Sequence, residues 1–146
     1  MATPGRNVTD LTRGPPPNSG EGALRILIVE DEAAARIATR RYLQYRGWSV
    51  DAAGSAEEAI RIARRRPPDV LICDWKLNGR RDGVDVARLL QSEQNVDIIF
   101  VTAYAQNELR RSAPDVRAVG CLRKPISLGA LAAAVEALAN GRRRIH

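Results

Sequence analysis

The sequence predicts a doubly wound α/β domain, with five parallel strands in the order 2-1-3-4-5 and helices on both faces. Two observations carry this. Five short apolar runs alternate strictly with five segments of helical period, and strict alternation implies a parallel sheet with right-handed crossovers. LRILIV is also an almost continuous apolar run rather than one apolar at every second residue, as a strand buried on both faces is.

The elements follow in order. LRILIV, from Leu24, is an apolar run with acids behind it and reads as the first strand. The helix after it places Ala35, Ala38, Tyr42 and Tyr45 on one stripe and stops at Gly47. WSVDAA is a shorter second strand. Ser55 and Glu58 have capping-box spacing, and the helix they open is expected to bury Ala56, Ala59, Ile60 and Ala63 before Pro67-Pro68 ends it. VLIC is strand three, GVDVARLLQSE a helix, VDIIFV strand four, QNELRRSA a short helix and AVGCLR strand five. Ser127 caps a last helix with Leu128, Leu131, Val135 and Leu138 at helical spacing. This arrangement over about 120 residues fits the flavodoxin-like strand order.

Residues 1–22 are rich in Pro, Gly, Thr, Asn and Ser and read as a flexible tail; residues 23–140 form the domain, and 141–146 a short basic tail. No apolar run is long enough to span a membrane, and the N-terminus lacks the hydrophobic segment of a secretory signal. Cys73 and Cys121 lie in apolar strand-like runs and read as buried, reduced thiols of a cytoplasmic protein. With His146 the only histidine, no Cys/His zinc set exists. The net charge of +6 is carried almost wholly by arginines scattered over helix faces, and only Arg142, Arg143 and Arg144 form a run outside the core pattern. Nothing resembles a recognition helix and aromatics are few, so no nucleic-acid partner is expected.

In a doubly wound sheet the binding edge is at the carboxyl ends of the strands. Glu30, Asp31 and Glu32 follow strand one, Asp74 strand three, Thr102 strand four and Lys124 strand five. One such aspartate alone is ordinarily a turn residue or a helix cap; the joint pattern at four neighbouring strand ends carries the reading. Clustered carboxylates repel unless a cation sits among them, and oxygen ligands without His or Cys favour magnesium. A cation and a lysine on opposite sides suit a transferring phosphoryl group, with Thr102 as a hydrogen-bond donor and a carboxylate as the nucleophile.

The stretches LRILIVEDE, DVLICDWKLNGRRDGVDVARLL, DIIFVTAYA and CLRKP resemble the receiver domain of two-component response regulators, from Leu24 to about Ala139. The resemblance implies that Asp74 is the phosphoacceptor. It implies that Glu30, Asp31, Asp74 and the backbone carbonyl of Lys76 hold magnesium, the first acid usually through water. Thr102 matches the switch hydroxyl, Lys124 the lysine that pairs with the phosphoryl group, and Pro125 a proline held in a cis bond. The partners implied are a sensor histidine kinase or phosphotransfer protein and a downstream protein.

The sequence departs from the pattern in three places. Glu30-Asp31 stands where Asp-Asp is usual. The loop DWKLNGRRDG lacks the proline often found four residues after the phosphoacceptor and is one residue longer before Gly83. Cys121 occupies the usual place of an aromatic that swings inward on phosphorylation. Tyr104, two residues after Thr102, either replaces that aromatic or covers the pocket and tunes hydrolysis. The chain stops soon after its last helix, so the expectation is a stand-alone, non-enzymatic phosphorylation switch read by another protein, or a phosphate shuttle or sink. The alternative is a receiver-like interaction module that is never phosphorylated. A magnesium phosphohydrolase fits less well, because such enzymes usually carry a D-x-D motif and Asp74 is followed by Trp75 and Lys76.

Overall fold

The computed structural model describes residues 23–145, with side chains described through Arg142; the N-terminal tail expected over residues 1–22 lies outside them. The described chain forms β1 (Arg25–Val29), α1 (Ala33–Tyr45), β2 (Ser49–Ala53), α2 (Ala56–Arg65), β3 (Val70–Asp74), α3 (Gly83–Glu93), β4 (Asp97–Thr102), α4 (Gln106–Ser112), β5 (Gly120–Arg123) and α5 (Leu128–Ile145). The sheet order is β2-β1-β3-β4-β5, with parallel pairing throughout, as the alternation of periods predicts.

Each strand feeds both layers. Leu27 and Val29 of β1 face a core with Ala59 and Ala63 of α2, Val86 and Leu90 of α3, and Leu109 of α4. Ile26 and Ile28 face the opposite core, with Leu43 of α1 and Leu131 and Val135 of α5. Burying each of the Val, Leu and Ile side chains stabilises the fold by about 1.5–3 kcal/mol, so both layers hold the sheet whose strand ends share one edge.

Local signals act much as the residues predict. Ser55 Oγ accepts the Glu58 N–H at 3.1 Å, but the Glu58 carboxylate takes the Gly54 N–H at 2.8 Å, one residue upstream of the reciprocal bond of a capping box. Gly47, at φ 103°, ends α1 in the left-handed region. Ser127 Oγ accepts the Ala130 N–H at 3.1 Å and so opens α5.

Four details differ from the sequence reading. The buried seam of α1 is turned away from the tyrosine stripe: Leu43 is its fully buried residue, Ala35 and Tyr42 are half-buried, and Ala38 and Tyr45 face solvent. Tyrosine tolerates such a position because its hydroxyl end is polar. In α5 the seam is Leu131, Ala132, Val135 and Ala139, with Leu128 and Leu138 at its margins. β5 begins at Gly120, and Val119 before it is exposed although its N–H still donates to the Ile98 carbonyl at 2.8 Å. Finally, α5 continues through residues 141–145, where the sequence suggests a basic tail. Arg142 pairs with Asp97 at 3.2 Å and Asp69 at 3.5 Å, so it pins α5 to the amino edge of the sheet.

The α1 phase can be checked by denaturant unfolding. Leu43→Ala is expected to lose about 2–5 kcal/mol and Tyr45→Ala less than about 0.5 kcal/mol. The reverse order would restore the tyrosine stripe.

Candidate functional site

The acidic cluster is assembled by strand register. Val29 of β1 pairs with Cys73 of β3, so the residues that follow, Glu30 and Asp74, emerge side by side at the carboxyl edge. Carboxylate oxygens of Glu30, Asp31 and Asp74 lie within 4.8 Å of one another. Glu30 is almost fully buried, and Asp31 and Asp74 are partly so. Glu30 is fixed on two sides: its Oε2 accepts the Glu32 N–H at 3.0 Å, and its carbonyl accepts from Arg36 at 2.9 Å.

Lys124 reaches into this cluster from β5. Its Nζ donates to Asp74 Oδ2 at 2.7 Å and to Glu30 Oε1 at 3.3 Å. Burial pulls the ammonium pKa down, but the hydrogen bond and charge of Asp74, with those of Glu30, outweigh it and leave the group raised. The lysine backbone is anchored as well, its N–H donating to the Thr102 carbonyl at 2.8 Å, and the Lys124–Pro125 bond is cis.

Thr102 closes β4 and is fully buried. Its hydroxyl oxygen accepts the Tyr104 N–H at 3.2 Å, and among the described residues it makes no hydrogen bond to Asp74. Tyr104, two-fifths exposed, sets its ring edge-on to Trp75 at 5.0 Å. The Lys76 ammonium lies 4.6 Å from the Trp75 ring centre and 5.7 Å from that of Tyr104. The side chains of Trp75, Lys76 and Tyr104 thus form one stacked group across the β3–α3 and β4–α4 loops.

Sequence reasoning did not find the backbone partners. The Asn78 N–H donates to Asp31 Oδ2 at 2.7 Å and draws the β3–α3 loop over the acids; a main-chain donor leaves no mark in residue type. Gly83 did carry a signal, a glycine at a helix start. A Cβ there would fall 1.9 Å from the Asp74 carbonyl oxygen and 2.7 Å from Cys73 Sγ. Asp82 before Gly83 and Asp85 after it form a capping box, at the spacing of the usual motif but with aspartate in the glutamate position.

The two cysteines differ. Cys73 is fully buried, and its burial, then the charges of Asp74, Asp82 and Glu30, push the thiol pKa well up. Cys121 is only half-buried, contrary to the sequence expectation, because β5 is an edge strand. Burial raises its thiol pKa too, against the lowering effect of Arg110.

An all-oxygen donor set of three converging carboxylates, two of them partly open to solvent, fits a hard divalent cation such as magnesium. A cavity of about 470 Å³ opens beside Asp74 and Lys124, with Ile28, Ile72, Val101 and Leu131 among its apolar walls. Three carboxylates facing a lysine at the carboxyl edge of a doubly wound sheet define a receiver-type α/β domain. A family model described as the response regulator receiver domain matches residues 26–136, and the chain belongs to that family, the receiver domains of two-component systems. It is 38% identical over 113 residues to the transcriptional regulatory protein PdtaR of Mycobacterium tuberculosis, covering 77% of this chain and 55% of that protein. The chain therefore spans about half the length of the curated relatives it matches. Among solved structures it is similar to the signal receiver domain of a modulated diguanylate cyclase from Desulfovibrio desulfuricans G20, at 31% identity and TM-score 0.74 over 84% of this chain and 98% of that one. A CheY-like receiver domain from Methanospirillum hungatei JF-1, at 22% identity and TM-score 0.77 over 84% and 98% of the two chains, shares the fold. Among the described residues no helix is long and apolar enough to cross a membrane.

Two outcomes are expected from this geometry. Gly83→Ala forces the Asp74 backbone to shift and should lower stability by about 1–3 kcal/mol in thermal unfolding; an unchanged midpoint would remove the close approach. Iodoacetamide at pH 8 should modify Cys121 in the native protein but Cys73 only after unfolding, read by peptide mass; equal native rates would contradict the difference in burial.

Proposed function

We propose that this receiver domain accepts a phosphoryl group on Asp74 from the phosphohistidine of a sensor kinase or phosphotransfer protein, and that a partner protein reads the result or the domain passes the group on. The observation that carries this is the joint placement of three carboxylates and the Lys124 ammonium around one point at the sheet edge. An Asp74 carboxylate oxygen attacks phosphorus, the P–N bond breaks, and the imidazole leaves with the electron pair. Glu30, Asp31, Asp74 and the Lys76 carbonyl would hold magnesium, which when bound offsets carboxylate repulsion and charge on the transferring group. Lys124, already at Asp74 Oδ2, is the group that pairs with a new phosphoryl oxygen.

The switch reading rests on Thr102. If the Thr102 side chain rotates to donate to a phosphoryl oxygen, its oxygen moves away from the Tyr104 N–H whose bond it now accepts. The Tyr104 backbone is then released while its ring keeps the edge contact with Trp75, worth about 0.5–1.5 kcal/mol, and the nearby Lys76 ammonium. That coupling favours Tyr104 as the relay in place of the aromatic absent at Cys121, and a bias of this size gives a graded response. The reading is of a signalling module rather than an enzyme acting on free substrates, placed in the cytoplasm with its kinase.

The test is transfer from a phosphorylated histidine kinase, with and without magnesium. Wild type should label in a magnesium-dependent, acid-stable and base-labile manner, and Asp74→Asn should not. Absence of labelling in wild type would leave the non-phosphorylated interaction module as the reading. Tyr104→Ala should label within about twofold of wild type yet lose the phosphorylation-dependent amide shifts in α4 and β5 measured by NMR. Unchanged shifts would remove Tyr104 from the relay.

A further inference from the structure

The acid pocket does not use a basic groove elsewhere on the described surface. Arg61, Arg64 and Arg65 of α2 and Arg80 and Arg81 of the β3–α3 loop line a groove of about 760 Å³, with Glu57 as its acidic wall and Ile60 on its floor. Arg64 is held by Glu93 through bonds of 2.7 and 3.2 Å. Arg61, Arg65, Arg80 and Arg81 pair with no carboxylate among the described residues. Arg61 and Arg65 are four residues apart on one helix, a spacing at which like charges weaken the helix. Arg65 lies in the last turn of α2, where a cation also suits the helix dipole, but Arg80 and Arg81 stand in a loop and have no such role.

We propose that this groove binds a compact anion carrying two or more phosphate groups, the chemistry shared by inorganic pyrophosphate and a nucleoside diphosphate. Guanidinium forks match phosphate oxygens two at a time, and here they approach from two sides, a helix and a loop. The volume falls within the range of small-molecule sites, about 300–1,000 Å³. No aromatic ring lines the groove, so it offers nothing for a base to stack on and differs from a single-strand binding track. No lining residue belongs to the Asp74 cluster, so this site stands or falls separately from phosphorylation.

Titration calorimetry on the full chain, without magnesium and in 0.1 M salt, tests this with sodium pyrophosphate and ADP as probes. One pyrophosphate is expected to bind per chain, and Arg65→Ala with Arg81→Ala should weaken it about tenfold or more. Arg41→Ala, on exposed α1 surface, should leave it unchanged. Equal binding of ADP assigns recognition to the diphosphate alone, and tighter ADP binding assigns it to a nucleotide; both support the site. No binding of either probe, no effect of the double variant, an equal loss in Arg41→Ala, or tighter binding of a glutamate-rich peptide or a short DNA duplex would overturn it. A thermal melt of the double variant, expected at the wild-type midpoint, shows that any loss of binding is local.

Discussion

Like charge at the carboxyl edge is the constraint around which the molecule is arranged. Two carboxylates 4.8 Å apart at an effective dielectric constant near 20 repel by about 3–4 kcal/mol, and Glu30, Asp31 and Asp74 lie at least that close. Lys124 relieves part of this by bridging Asp74 and Glu30. Asn78 relieves another part by offering its N–H to Asp31. Neither donor comes from the element that carries its acceptor. The cluster therefore exists only when β1, β3, β5 and the β3–α3 loop are all in place, and the two packed layers hold them there. The residues proposed to carry the chemistry are therefore also the ones the fold must work to hold.

The sheet order was legible because its physical cause is written in residue type. A strand buried on both faces is a near-continuous apolar run, as VLIC is throughout and as LRILIV and VDIIFV are past Arg25 and Asp97. Once the order is known, topology brings Glu30, Asp74, Thr102 and Lys124 to one edge without any knowledge of side-chain contacts. The structure places Lys124 against Asp74 and Glu30, and Thr102 beside them but bonded to Tyr104.

What was not legible depends on direction rather than type. The α1 seam could be drawn through Tyr42 and Tyr45 or through Leu43, and only packing against β2 and α5 selects Leu43. Arg142 looked like part of a tail because the residues around it are basic, yet its partners, Asp69 and Asp97, lie on distant loop and strand positions. The groove between α2 and the β3–α3 loop was invisible for the same reason: Arg61 and Arg81 read as scattered surface until the fold sets their elements side by side. Backbone donors such as the Asn78 N–H carry no sequence signature at all.

The three carboxylates are proposed to hold a hard divalent cation, whose charge completes what Lys124 begins. The most direct measurement is the thermal midpoint with increasing magnesium, for wild type and for Asp31→Asn. A cation that binds only the folded state raises the midpoint with its concentration. Wild type is expected to show a saturable rise that is lost in Asp31→Asn, with calcium or manganese acting in the same direction. A wild-type midpoint indifferent to magnesium, or a rise of equal size in Asp31→Asn, would contradict it.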